Sequence, residues 1–340
     1  MATKLRWATV GACLATAVVL GLSGCAEKGS PVEPDGDAGY RIVGSLPIAG
    51  DAEHVEVAGD LCLLAASQGG LVLVDVSDPT SPAALGTGPT SFEASGCAYA
   101  PGDSIAFVTN GTSGILAFDV SDPASPEQLG SGQGQQSRDV VAVLVTPREL
   151  YHLFVADGLG GFQVQEFRYY PSFQAWFFGE LDHHGPYGSA RGVCLAGDIA
   201  LVAMEQLGVW LYDITDLSNV TVLGTIDTPG EARAVAQSGV YAYVADWRAG
   251  LQVVDMTDPA APVIVGSAET DGRASGICYH DGLVYVADHV GGLRIFDVGD
   301  PTSPEDAGYI DTPFANDVFV TDSYLYVADR DWGLVVAEEE

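Results

Sequence analysis

The chain has 340 residues, with 13 Lys and Arg set against 46 Asp and Glu, for a formal charge of −33. Phosphate neutralisation needs clustered cations, so this balance excludes nonspecific nucleic-acid binding. High salt, divalent cations or a cationic partner would be compatible with it, and so would solubility alone.

The first segment is an address. In "MATKLRWATVGACLATAVVLGLSGC", Lys4 and Arg6 precede a predominantly apolar run that ends at Leu22-Ser23-Gly24-Cys25. The run is short for a membrane span and suited to a signal peptide. It resembles a bacterial lipoprotein signal, which implies cleavage before Cys25 and diacylglycerol (with palmitate-type acyl chains) on its thiol; a non-lipidated signal is the alternative. Two or more acyl chains anchor a soluble domain stably. The expected product is tethered at the bacterial cell envelope, outside the cytoplasm, and Ala26 and Glu27 suit outer-membrane sorting where there are two membranes. Residues 1–24 are thus read as the signal, and 25–39, ending in "AEKGSPVEPDGDAG", as the lipidated cysteine and an acidic tether without an apolar core.

From residue 40 onward the chain repeats. A Gly-apolar step recurs at Gly70, Gly114, Gly161, Gly208, Gly250, Gly292 and Gly333, with spacings of 44, 47, 47, 42, 42 and 41. Each glycine opens a β-branched alternating run such as "LVLVDV" or "LRIFDV", which predicts a strand. Upstream lie two further runs, typified by "VYAYVAD" and "GICYHDG". Downstream comes a fourth ending near glycine, at 86, 130, 179, 224, 266 and 308. Four short strands per period and no helical segment predict an all-β propeller blade. The last repeat stops at "GLVVAEEE" without its fourth strand, whereas "YRIVGSLP", residues 40–47, carries that pattern ahead of the first repeat. Residues 40–340 are therefore expected to form a seven-bladed β-propeller with four antiparallel strands per blade, the last blade closed by the N-terminal strand.

Asp78-Pro79, Asp122-Pro123, Asp258-Pro259 and Asp300-Pro301 fit rigid turns after each third strand, and Asp216 keeps the acid without the proline. Asp157, Asp246, Asp288 and Asp329 recur four positions before the repeat glycine, with Asn110 in the same column, and read as structural caps rather than catalytic acids. "LVLVDVSDPTSP", "ILAFDVSDPASP" and "LQVVDMTDPAAP", with the "YVAD" runs before them, resemble the LVIVD-repeat proteins. That resemblance implies a secreted or cell-surface propeller and brings no catalytic set. The third repeat departs from it, with "EFRYYPSFQAWFFG" in place of the Asp-Pro turn.

Cys62, Cys97, Cys194 and Cys278 are read as buried thiols, and a Cys62–Cys97 bridge between neighbouring blades stays open as the alternative. No EF-hand loop, zinc-type cysteine pair, Walker A loop or HExxH occurs. His183-His184 is too incomplete for a metal and reads as a surface loop, so neither metal nor cofactor is expected.

Six of the eleven basic residues beyond the signal, Arg138, Arg191, Arg233, Arg248, Arg273 and Arg330, fall in segments expected on one face. Arg138, Arg191 and Arg233 share one column and would form an arc at the channel mouth, available to carboxylate or phosphate or consumed by nearby acids. Trp247 and Trp332 lie in equivalent loops on that face, with His289 in the corresponding loop of blade six. The blade-three excursion adds Tyr169, Tyr170, Trp176 and Tyr187 as candidate peptide or glycan contacts, or as cover for a widened blade. The expected function is recognition of an envelope protein, peptide or glycan. The alternative is a hydrolase at the channel mouth, for which no coherent nucleophile, base and oxyanion set is legible.

Overall fold

A computed structural model describes residues 39–100, 102–146, 149–185 and 188–340. Cys25, the signal and tether segments and Tyr187 lie outside the described residues.

Twenty-eight strands form seven four-stranded antiparallel sheets, and no helix occurs among the described residues. Six sheets take consecutive strands in chain order. The seventh holds Ala315–Val320, Leu325–Asp329 and Gly333–Glu339 and is completed by Tyr40–Leu46. Tyr40 pairs with Glu339 and Leu46 with Leu334, so the first strand closes the last blade. The third and fourth strands of each blade share a bulge, and Tyr40–Leu46 has it too, between Ile42 and Gly44. That shared irregularity identifies it as the seventh copy of strand four.

The apolar residues gather in seven clusters, one between each pair of neighbouring blades. Alternation along a strand explains this: the two faces of each sheet press on the two adjacent blades, so each blade buries both. The cluster joining blades one and seven includes Val43 and Leu46 from the closing strand.

The fourth-strand glycine has a packing cause. A Cβ on Gly44, Gly86, Gly224 or Gly266 would overlap the carbonyl oxygen of Pro79, Pro123, Pro259 or Pro301, the Asp-Pro turn of the next blade. Blade three has no such turn, and at Gly130 the neighbours are the rings of Phe167 and Phe178. In blade three itself the bulge moves to Leu181, so Asp182, opposite Val164, holds the position that glycine fills elsewhere. The expectation that Gly179 is the equivalent is thereby corrected. Blade four lacks the turn proline, and Asp182 accepts the Val220 N–H at 2.6 Å there.

The connections between blades and the turns between strands two and three lie on one face, called the mouth face below. The other two turns of each blade lie on the far face. The innermost strands, from His54–Ala58 in blade one to Ala315–Val320 in blade seven, surround a central channel of about 900 Å³.

Candidate functional site

The mouth face is built on the buried caps. Asp157 accepts from Gln135 N at 2.7 Å and Ser137 Oγ at 2.7 Å, Asp246 from Thr228 Oγ1 at 2.6 Å and Gly230 N at 2.8 Å. Asp288 holds Thr270 and Gly272 in the same way, Asp329 holds Phe314, and Asn110 holds Ser91 and Phe92. In these five blades the incoming connection is thus fastened to the turn of its own blade. The next position of that turn, Ser67, Gly111, Gly158, Glu205, Trp247 or His289 in blades one to six, is bridged to the next connection and held at φ between 44° and 52°, with Ala66 and Met204 in the cap position before Ser67 and Glu205. Left-handed backbone is natural for Gly111 and Gly158, tolerated by a histidine and strained for a tryptophan.

On this ring a continuous arc of cations and rings crosses blades five, six and seven. The Arg233 guanidinium lies 4.2 Å from the Trp247 ring centre and that of Arg273 5.3 Å from it. Trp247 meets His289 edge to face at 4.9 Å, His289 stacks on Phe314 at 4.3 Å, and Arg330 caps Phe314 at 3.5 Å. Burial, then Arg273, Arg330 and Arg233, push His289 down to about 4, so it is neutral near pH 7, and its Nδ1 is buried without a hydrogen-bond partner. Phe314 was not singled out from the sequence; "TPFAND" places it in the column of Glu231 and Arg273, which is the signal that marks it.

The three arginines of the expected arc do not act alike. Arg191 is paired with Glu205, and Arg233 with Glu205 and Glu231, so acids occupy two of the three. Arg138 makes no ion pair among the described residues, and its Nε is buried without a partner. Burial and then the Arg191 charge pull its pKa below the ordinary value. Arg248 and Arg273 are exposed. Arg330 contacts Asp331 at 3.1 Å as well as Phe314. Trp332 is in the equivalent turn, and its partly buried side chain packs against the seam between blades six and seven.

The aromatic excursion is corrected in position. Its strands, Phe162–Tyr170 and Ala175–His184, start at the mouth face and turn at residues 171–174 on the far face. Tyr169, Tyr170 and Trp176 are therefore remote from the arginine arc. Trp176 stacks on Phe167 at 4.7 Å and covers the seam between blades two and three, and Tyr169 leans on it at 5.3 Å. His183 and His184 belong to a strand rather than a surface loop, with His183 Nε2 2.6 Å from Gly160 O.

Inside the channel the structure assembles a second group that sequence reading missed. Unpaired N–H groups on the innermost strands are met by acids of the preceding blade: Glu56 accepts from Tyr99, Asp139 from Val193, and Asp317 from Val55. His54 Nε2 lies 3.6 Å from Asp317 and 3.8 Å from Asp139, and its Nδ1 lies 3.5 Å from Cys97 Sγ. Burial pulls His54 down, but Asp317 and Asp139 outweigh it and its pKa lies above the ordinary value. Burial raises Glu56 to about 7. Cys97, His54 and Asp317 have the residue types of a nucleophile, base and orienter. Burial, with Glu56 beside it, drives the Cys97 thiol well above its ordinary range, which is the reverse of thiolate activation. "EHV", "RDV" and "NDV" at the start of three first strands are the column that carries this group. All four described cysteines are free thiols, Cys62 and Cys97 buried and the other two partly so.

The LVIVD repeat is matched at residues 49–89, 187–228, 229–270, 271–312 and 314–337, leaving the strands of blades two and three and the closing strand Tyr40–Leu46 unmatched. No curated protein matches the chain. Among solved structures it is similar to the WD40 β-propeller domain of Doa1, at 12% identity and TM-score 0.66 over 89% of this chain and 98% of that one. It is also similar to the computationally designed Ika8 protein, at 10% identity and TM-score 0.58 over 87% of this chain and 99% of that one. At such identities the likeness concerns the fold alone. The repeat itself spans more than half of the sequence, and the chain belongs to the LVIVD-repeat family.

Proposed function

We propose that this protein is a lipid-anchored recognition module of a bacterial cell envelope, tethered through Cys25 and binding an acidic segment of a protein, peptide or glycan across its mouth face. The observation that carries the reading is the arc Arg233, Trp247, His289, Phe314 and Arg330, in which two aromatic rings stand on left-handed backbone that blades two and three fill with glycine. Strain of this kind persists where the surrounding structure enforces it, and it clusters at sites of function. Arg138 and Arg273 supply donor groups not engaged by ion pairs, and the Trp247 and Phe314 faces supply broad contact area. The anchor is tested by the mass of the N-terminal peptide from the native organism, where an unmodified Cys25 refutes it. The face is tested with polyglutamate and polygalacturonate as peptide and glycan probes. Arg138→Gln with Arg273→Gln is expected to weaken capture by tenfold or more with the melting curve unchanged, and equal capture by the folded variant rejects this site.

A second reading, hydrolysis in the channel, is favoured by the Cys97 to His54 distance of 3.5 Å and the raised Glu56. It requires a thiolate that its surroundings oppose. Rapid alkylation of Cys97 by iodoacetamide near pH 7 in the folded protein would favour it.

A further inference from the structure

The far face carries one feature unlike the rest of the molecule. In the other blades with an Asp-Pro turn, the chain after strand three folds sideways onto the neighbouring blade, whereas in blade three the two arms continue as paired strand from Glu166 and Gly179 to Tyr170 and Ala175. Four further residue pairs carry the turn about 13 Å outward at about 3.3 Å per residue. Its tip presents Tyr170, Phe173 and Phe177, which are 38%, 70% and 48% exposed. They touch only edge to face, with ring centres 5.6 to 6.5 Å apart. Around the same face Asp78, Asp122, Asp216, Asp258 and Asp300 are exposed.

The chain preceding the described residues joins on this same face. Tyr40 pairs with Glu339 at the far end of the closing strand, and Gly39 O accepts the Glu340 N–H at 2.8 Å. We infer that the aromatic tip docks into the headgroup and acyl boundary of the bilayer that carries the anchor, so that the propeller stands with its far face to the membrane and its mouth face outward. The inference rests on the Cys25 anchor proposed above. Residues 26–39 limit the separation of the far face from the anchor to at most about 50 Å. The acidic turns oppose close approach to an anionic surface and to a second copy of the same face alike. A projection of about 13 Å is longer than the Debye length of about 8 Å at physiological salt, so the tip meets the interface before those turns come within that distance of it. Amphipathic and aromatic rings favour that depth.

The test uses the full acylated chain in phosphatidylcholine vesicles with brominated acyl chains. Phe173→Trp places an indole at the tip, and Leu159→Trp places one on the mouth face of the same blade, at a residue 63% exposed. Emission added by Phe173→Trp is expected to be quenched at least twofold more than that added by Leu159→Trp. Equal quenching of the two, with Cys25 acylation verified by mass, overturns the docking and leaves the anchor standing. An unmodified Cys25 with no vesicle association removes the anchor and the docking together, and the mass alone tells the two failures apart. Concentration-dependent shielding of the new indole from acrylamide without lipid would assign the tip to a second copy and also overturn the proposal.

Discussion

Trp247 holds φ at 52° where Gly111 and Gly158 hold the same angle without a side chain to strain. Such backbone costs on the order of 1–3 kcal/mol for a non-glycine residue. Trp247→Gly is therefore expected to leave stability unchanged or raise it by about 1 kcal/mol, while removing the ring under Arg233 and Arg273 and weakening capture of the acidic probe. A loss of stability above about 1 kcal/mol in urea melts would make the indole a packing residue instead. Glu56 gives a pH prediction. Its folded pKa of about 7 lies above the ordinary 4.5, so its contribution is fully present below about pH 4.5 and is lost as pH rises through 7. His54, raised by Asp317 and Asp139, acts in the same direction, since the stability of its charged form fades as pH rises past its folded pKa. His289, lowered to about 4, acts the other way up to its ordinary 6.5, so the melting temperature should fall from about pH 6.5 to pH 8. Glu56→Gln, whose amide oxygen can still accept from Tyr99, should flatten that slope, and an unchanged slope would place its origin elsewhere. At this scale the sequence showed the arginine column and Trp247 but hid what they meet. Glu205 lies 14 residues from Arg191 and 28 from Arg233, and only the ring brings it between the two.

Strand four shows why the repeat was legible as elements and where it misled. Its glycine and the following blade's proline form a single packing unit, so both recur wherever neighbouring blades have regular turns. Where blade three replaces its turn by a long hairpin, the glycine column slips and Asp182, not Gly179, fills the position. The paired residues could not be recognised from one strand's pattern alone, because the partner lies in the next repeat. The contrast between two glycines tests this account. Gly224→Ala places a Cβ onto the Pro259 carbonyl and is expected to cost about 1–3 kcal/mol, the usual range for overpacking. Gly130→Ala meets only ring carbons of Phe167 and Phe178 at 3.4 to 3.7 Å and should be near neutral. Equal urea midpoints for the two variants would mean that the Asp-Pro turn yields freely and does not set the glycine.

As a whole, the molecule is a ring of seven seams with no central core, so its integrity depends on every seam including the one that joins its ends. A charge of −33 adds repulsion that the seams must overcome. Deleting residues 40–47 would remove Val43 and Leu46 from the closing seam, expose the edge of Gly333–Glu339, and leave Pro79 without Gly44 against it. Loss of a single cooperative melt and aggregation through that edge are the expected results. Deletion alone does not separate the loss of eight residues from the loss of the closure, but a circular permutant does. Gly39 and Glu340 are already hydrogen-bonded at 2.8 Å, so residues 40–48 can follow Glu340 through a short turn and re-enter the same edge from the other terminus. The permuted chain is expected to recover the melt to within about 1 kcal/mol of the natural order, since the same pairs and seam re-form and only the loop entropy differs. If the deletion melts like the parent, or if the permutant fails to restore what the deletion loses, the N-terminal strand is not what holds the ring shut.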